Sequence, residues 1–194
     1  VATRINIAPK NIMMENTVVI ASADVSQAAE IAQLIMEAMD LDCCRNFAGP
    51  DHTLDDFRAM MTKLVAMDDS QYSYRNTLVA MIGDEVAGCL VAYDGKDLLR
   101  LRERFVEAAR EFLGRDFSAM DEETKAGEYY IDSLCVKKHF RKRGIATQLI
   151  SEAIRRHGTQ PIGLLVDHTH PWAERLYRAI GFSFVDETTW GGHA

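Results

Sequence analysis

The sequence predicts an α/β (α+β) fold in a single domain over residues 1–194, and three observations carry that prediction. Short runs rich in apolar and β-branched residues recur along the chain, at 17–22, 77–82, 86–93, 129–136, 162–166 and 182–189. Between most of them lie stretches whose apolar residues repeat at helical spacing. Two of the runs are separated only by Gly83-Asp84-Glu85, a turn that closes a hairpin, so at least part of the sheet is antiparallel.

The elements follow in order. After the strand at 17–22, residues 24–39 place Ala28, Ile31, Ala32, Ile35 and Met39 on one helical stripe. Thr53 followed by Asp56 resembles a capping box and opens a second helix, carrying Leu54, Phe57, Met60 or Met61, and Leu64, that ends near Met67. Residues 68–74 are polar and aromatic without period and read as a loop. The hairpin at 77–93 comes next. Leu98, Leu101, Phe105, Ala109 and Phe112 then form the stripe of a helix at 97–114, with Gly114 at the C-cap position. An acidic connector at 116–127 leads to the strand at 129–136. A helix at 144–157, a short apolar strand at 162–166, a helix opened by Pro171 and closed by Gly181, and a last strand at 182–189 complete the chain. Residues 1–16 read as a loosely attached extension, and 94–127 as a helical insertion.

Composition narrows the function classes. At 194 residues the chain can bury roughly 70% of its unfolded surface, enough for a core without disulfides or a structural metal. No apolar run approaches the roughly 18 residues of a membrane helix, and the N-terminal residues lack the apolar stretch of a secretory signal, so a cytoplasmic protein is expected. The four cysteines have no C-x-x-C spacing and read as free thiols. No metal site is expected: His168 and His170 lack a legible third ligand. Twenty-two basic against 29 acidic residues give a net charge of −7, which argues against a nucleic-acid partner.

One segment opposes the acidic trend. Five of the seven residues from 137 to 143 are Lys or Arg, and they run directly into Gly144 and the start of a helix. A basic run alone would be a solvated loop. Followed by a glycine and a helix N-terminus, with its unpaired N–H groups and positive dipole end, it is suited to phosphate. The nucleotide loops G-x-x-x-x-G-K-S/T and G-x-G-x-x-G are absent.

Arg141-Lys142-Arg143-Gly144-Ile145-Ala146 resembles the Q/R-x-x-G-x-G/A loop of the GNAT superfamily of N-acetyltransferases. A second segment, from His170 through Ala173, Leu176 and Tyr177 to Gly181-Phe182, resembles that family's N-x-x-A-x-x-L-Y-x-x-x-G-F motif, with His170 where Asn is common. The resemblance spans about 17–189. It implies a mixed, mostly antiparallel sheet flanked by helices and splayed between its fourth and fifth strands. The opening is put between the strands at 86–93 and 129–136, with acetyl-CoA lying in it. By the same resemblance, the main chain of Leu134, Cys135 and Val136 pairs with the pantetheine arm, and Arg141, Lys142, Arg143, Gly144, Ile145, Ala146 and Thr147 hold the pyrophosphate. His170 and Ala173 complete the cofactor contacts. The resemblance makes Tyr177 the proton donor to the departing thiolate, and puts the oxyanion donor in the main chain of 88–93.

Chemistry adds a demand. An alkylamine with a pKa of about 10.4 is almost wholly protonated at neutral pH, a handicap of about 4–5 kcal/mol, so a base is needed beside the acceptor. Alternation puts Asp132 on the face of Leu134 and Val136, which makes it either that base or a polar residue satisfied in the sheet. Glu128, of the same parity, is the reserve. Together with Asp68 and Asp69 these carboxylates point to a cationic amine acceptor. The expected activity is direct acetyl transfer to a primary amine through a ternary complex. A catalytically silent acyl-CoA sensor is the alternative. The insertion is open to three roles: lid, acceptor wall or homodimer surface.

Overall fold

The computed structural model describes residues 17–166 and 171–187. Its elements are β1 (Val18–Ser22), α1 (Ala28–Met39), α2 (Leu41–Ala48), α3 (Leu54–Ala66), β2 (Thr77–Ile82), β3 (Glu85–Asp94), α4 (Leu98–Leu113), β4 (Tyr129–Val136), α5 (Ile145–His157), β5 (Ile162–Leu164) and α6 (Pro171–Ile180). The strands lie in the order β1-β2-β3-β4-β5. The first four pair antiparallel and β4 pairs with β5 in parallel. The mixed, mostly antiparallel sheet is therefore present.

Helices cover both faces. Ile31 and Ile35 of α1, Cys44 of α2, Phe57 and Leu64 of α3 and Phe105 of α4 share one core with Cys89, Val91 and Cys135 of the sheet. On the other face Leu149, Ile150 and Ala153 of α5 pack on Leu90, Ala92 and Ile131. β3, sandwiched between two strands and two helical layers, is buried from Val86 to Tyr93, which is why its sequence shows no polar alternation.

Local signals explain most boundaries. The Thr53 hydroxyl accepts from the Asp56 N–H at 3.1 Å while the Asp56 carboxylate accepts from the Thr53 N–H at 2.7 Å, a reciprocal cap on α3. Gly114 closes α4 at a φ of 60°. The apolar stripe of α4 is spent on its own chain, with Leu98, Leu101, Phe105, Ala109 and Leu113 all buried.

Three expectations need correction. α2 was not foreseen; it is a single short helix of mixed composition, started by the Asp40 carboxylate accepting from the Cys43 N–H at 2.8 Å. The strand expected at 162–166 is only Ile162–Leu164. The strand expected at 182–189 is irregular over 182–187, and 188–189 lie outside the described residues. The extension at 1–16 also lies outside them.

The opening is also moved. β3 and β4 pair from Gly88 with Val136 to Asp94 with Tyr129, so nothing can enter between 86–93 and 129–136. The sheet opens one strand later: β5 pairs only with Tyr129, Tyr130 and Ile131, and β4 continues alone from Asp132 to Val136. These are the fourth and fifth strands of this sheet.

Candidate active site

β4 carries one residue too many for its partner. Val91 opposes Ser133 and Ala92 opposes Ile131, leaving Asp132 as the unpaired residue of a β-bulge at the point where β4 and β5 part. A bulge breaks the alternation of side chains, and the consequence corrects the sequence reading. Leu134 and Val136 lie with the α5 core, whereas Asp132 shares a face with its neighbour Ser133 on the α4 side.

There the Asp132 carboxylate accepts three hydrogen bonds, from Tyr93 Oη at 2.9 Å, Ser133 Oγ at 2.9 Å and Gln71 Nε2 at 3.3 Å. Burial pushes its pKa up, and the Tyr93, Ser133 and Gln71 hydrogen bonds together with Arg102 offset only part of that rise. The result is a carboxylate with raised proton affinity at the mouth of the opening.

The free edge of β4 has a definite polarity. The Lys137 N–H bonds to Ala87 O of the β3 side at 2.9 Å. Main-chain groups alternate sides along a strand, so those of Ser133 and Cys135 also face β3, and those of Leu134 and Val136 face the opening. Val136 O accepts there from Arg141 Nε at 2.8 Å. Of the three residues expected to border the ligand, Leu134 and Val136 therefore offer main chain to it. Cys135 does not; its side chain faces α1, 3.8 Å from Glu37, with the thiol pushed up to about 11 by burial. β3 is flanked by β2 and β4, so an oxyanion donor within 88–93 is also displaced: the strand that borders the opening is β4.

At the far end of that edge lies the basic loop. Lys142 and Gly144 both have positive φ, 63° and 74°, a tight double reversal that delivers the chain into α5. No side chain among the described residues caps α5, and its first intrahelical bond is from the Gln148 N–H to Gly144 O. The N–H groups of Ile145, Ala146 and Thr147 thus precede the helical ladder. A Cβ built on Gly144 meets no atom of the described residues within 4 Å, so among them this side of the loop is open. Arg141, Lys142, Arg143 and Thr147 are exposed beside it. This is a fit for a pyrophosphate, held by backbone and helix dipole. Lys137 is the exception among the basic residues: its ammonium is tied to Glu30 and, at 3.0 Å, to Glu85.

Tyr177 stands on α6, half-buried against the α5 core with its ring 5.8 Å from that of Phe182. Burial raises its pKa, which keeps the phenol protonated. Its hydroxyl has no hydrogen-bond partner among the described residues. Ala173 is buried one turn earlier. His170 lies outside the described residues. Tyr177 thus packs with the α5 face of the sheet, whereas the Asp132 carboxylate lies with Tyr93, Ser133 and Gln71 on the other face.

Glu128 is occupied elsewhere. Its carboxylate accepts from Thr124 Oγ1 at 2.6 Å and fills the space over Gly163, at the closed end of the β4–β5 pair. Asp68 is paired with Arg75 at 2.8 Å and Asp69 with Arg104 at 2.7 Å. The acidic residues expected to converge on the acceptor are thus dispersed, with Asp132 alone at the opening.

Sequence reasoning missed Tyr93, Glu123 and Arg102. Tyr93 reads as one more apolar residue of a buried strand, and Glu123 as part of an acidic connector. The structure brings Tyr93 Oη within 3.4 Å of Glu123 Oε1, and Glu123 forms an ion pair with Arg102, both side chains almost fully buried. Arg102 also donates to Met120 O and Asp121 O, at 3.1 and 2.9 Å. The insertion so reaches Tyr93 of β3, beside Asp132. Among the described residues no metal-ligating cluster exists, and no helix is long and apolar enough to cross a membrane. A broad surface depression of about 730 Å³ beside Arg45, Gly49, His52 and Arg115 is lined by none of the predicted site residues.

An open β4 edge leading to an uncapped helix N-terminus matches what the sequence motifs imply. The model of the acetyltransferase (GNAT) family matches residues 36–182. The chain belongs to that family. No curated protein sequence matches it. Among solved structures, an N-acetyltransferase from Staphylococcus aureus Mu50 is similar at 24% identity and a TM-score of 0.76, over 90% of this chain and 96% of that one. A structure described as an acetyltransferase is similar at 26% identity and 0.73, over 90% and 94%. An aminoglycoside N-acetyltransferase in complex with CoA shares the fold at 16% identity and 0.55, over 90% and 93%. The protein is thus an N-acetyltransferase whose acyl donor is an acyl-CoA thioester.

Proposed function

We propose that this acetyltransferase moves an acetyl group from acetyl-CoA directly to a primary amine within a ternary complex, with Asp132 as base and Tyr177 as acid. The observation that carries the reading is the bulge at Asp132, which sets a carboxylate of raised proton affinity at the point where the sheet opens. Main-chain groups of Leu134 and Val136 orient the pantetheine arm as an added strand would, and the N–H groups at 145–147 hold the pyrophosphate. Asp132 takes a proton from the acceptor ammonium and frees its lone pair for attack on the thioester carbonyl. The Leu134 N–H, the first past the bulge that β3 does not use, donates to the carbonyl oxygen as it gains charge. Tyr177 protonates the sulfur that leaves.

A cationic acceptor is supported by two features beside each other. Asp132 is an anionic acceptor, and Gln71 Oε1 is buried with no partner among the described residues. An ammonium has three donors to offer such a pair. The cysteines, free among the described residues, and the need for acyl-CoA fit a reducing cytoplasm.

Calorimetric titration with acetyl-CoA, followed by a panel of polyamines, amino sugars and lysine or N-terminal amines read through thiol release, tests the reading. Micromolar binding with amine-dependent release is the expected result. Binding with no release across the panel would favour the sensor alternative.

A further inference from the structure

We propose that Tyr93 is a positioning residue for Asp132: its hydroxyl hydrogen points at the charged Asp132 carboxylate and turns to Glu123 once Asp132 holds the acceptor's proton. The inference rests on the reading of Asp132 as the base. Its ground is a single phenol between two carboxylates, 2.9 Å from Asp132 Oδ2 and 3.4 Å from Glu123 Oε1. A phenol has one hydrogen, so it can serve only one of them at a time. The shorter contact identifies Asp132 as its partner in the resting site.

Glu123 is a fixed second partner, because the buried Arg102 guanidinium holds it and is itself anchored on Met120 O and Asp121 O. When the acceptor nitrogen gives up its proton, an N–H bond breaks and an O–H bond forms on Asp132; the ammonium and the carboxylate both become neutral. No bond to Tyr93 breaks. Its hydrogen rotates to Glu123, and its oxygen is left to accept from the new carboxyl O–H. With the new proton on Oδ2, the oxygen that Tyr93 touches, an unturned Tyr93 would face a donor with a donor.

The titratable and charged groups that face Asp132 are Tyr93 of β3, Tyr130 of β4, Tyr72 from the loop after α3 and Arg102 of α4, with Glu123 of the insertion behind Tyr93 and Arg102. Burial holds all three tyrosines above their ordinary range, so none of them titrates near neutral pH. The insertion thereby acts on the reactive carboxylate through Tyr93.

Two variants and two readouts test this. The variants are Tyr93→Phe and Glu123→Gln. The readouts are the acid limb of the kcat/KM profile and the infrared titration of the Asp132 carboxyl band in free enzyme, assigned by its loss in Asp132→Asn. Tyr93→Phe removes a hydrogen bond that favours the charged form, so both midpoints are expected to rise by about one pH unit. Glu123→Gln leaves Arg102 unbalanced, and both are expected to fall. A Tyr93→Phe variant with lower kcat and neither midpoint moved has lost packing alone, and overturns the proposal. An infrared midpoint that moves while the kinetic limb stays overturns Asp132 as base and the turn during catalysis with it, while the Tyr93–Asp132 coupling itself survives.

Discussion

Tyr93 and Asp132 meet across the β3–β4 ladder, hydroxyl to carboxylate at 2.9 Å, although neither is the other's partner in the strand register. The contact exists because β4 holds an extra residue. In a regular ladder Asp132 would stand on the α5 face with Leu134 and Val136; the bulge sends it to the other face, among Tyr93, Ser133 and Gln71. One inserted residue so determines which layer of helices surrounds the carboxylate.

Replacing Asp132 with Asn should separate catalysis from stability. As base, Asp132 contributes about 10²–10⁴-fold, so kcat should fall by that order while acetyl-CoA binding holds. Because its folded pKa is raised, Asp132 favours folding when protonated and loses that contribution as pH climbs from the ordinary carboxylate range through the folded value. Asp132→Asn should therefore melt higher than wild type at pH 7, by about 2–4 °C for each kcal/mol gained. The gap should close below about pH 4. Melting curves at pH 4 and pH 7 check the sign; an equal gap at both would show that ionisation of Asp132 is not its source.

Tyr177→Phe keeps the ring that packs against Phe182 and removes only the hydroxyl. With no hydrogen bond to that hydroxyl among the described residues, stability should change by less than about 0.5 kcal/mol. Turnover should drop at least about tenfold, with the dissociation constant of CoA within about twofold. Steady-state kinetics beside calorimetry decides it: parallel losses in kcat and affinity would make Tyr177 a binding residue.

These two residues also mark the limits of what sequence can tell. Tyr177 was legible because a motif names it and the α6 stripe places it. Asp132 was legible as a residue type at the right strand position, yet its face was misread, since alternation assumes a regular ladder and a bulge leaves no mark in one sequence. The opening was misplaced for a related reason. The sequence shows where strands are, and β3 and β4 look alike as neighbours of a gap; only pairing reveals that β5 lets go after Ile131. Glu123 and Arg102 were invisible because their meeting depends on how the connector folds back on α4. The loop proposed for the pyrophosphate, by contrast, is local chain geometry, and its turn at Gly144 is legible in the sequence.

Gly144→Ala tests that loop. At a φ of 74° a Cβ costs about 1–2 kcal/mol of backbone strain, although no atom of the described residues lies within 4 Å of where it would stand. The apo variant should melt about 2–8 °C lower. The new methyl occupies the open side of the loop, so the stabilisation given by saturating CoA should shrink as well. Melting curves with and without CoA separate the two effects. A variant that loses apo stability but retains the full ligand shift would place the phosphates away from Gly144.

Lys137 gives a counter-test among the basic residues. Burial works against its charge, but Glu30 and Glu85 outweigh that and hold the ammonium above its ordinary pKa. A lysine so committed has little left for a phosphate, whereas Lys142 and Arg143 stand exposed at the loop. Lys137→Ala should cost about 0.5–1 kcal/mol of stability, the range of partly exposed pairs, and leave CoA affinity within about twofold. The double change Lys142→Ala with Arg143→Ala should leave stability nearly untouched and weaken CoA by about tenfold, as expected for about 1.4 kcal/mol of lost charge-assisted contact. That loss should diminish at high salt, because exposed charges are screened. Calorimetry at two ionic strengths distinguishes the cases, and a large affinity loss in Lys137→Ala would mean that the lysine leaves its two glutamates when the ligand binds.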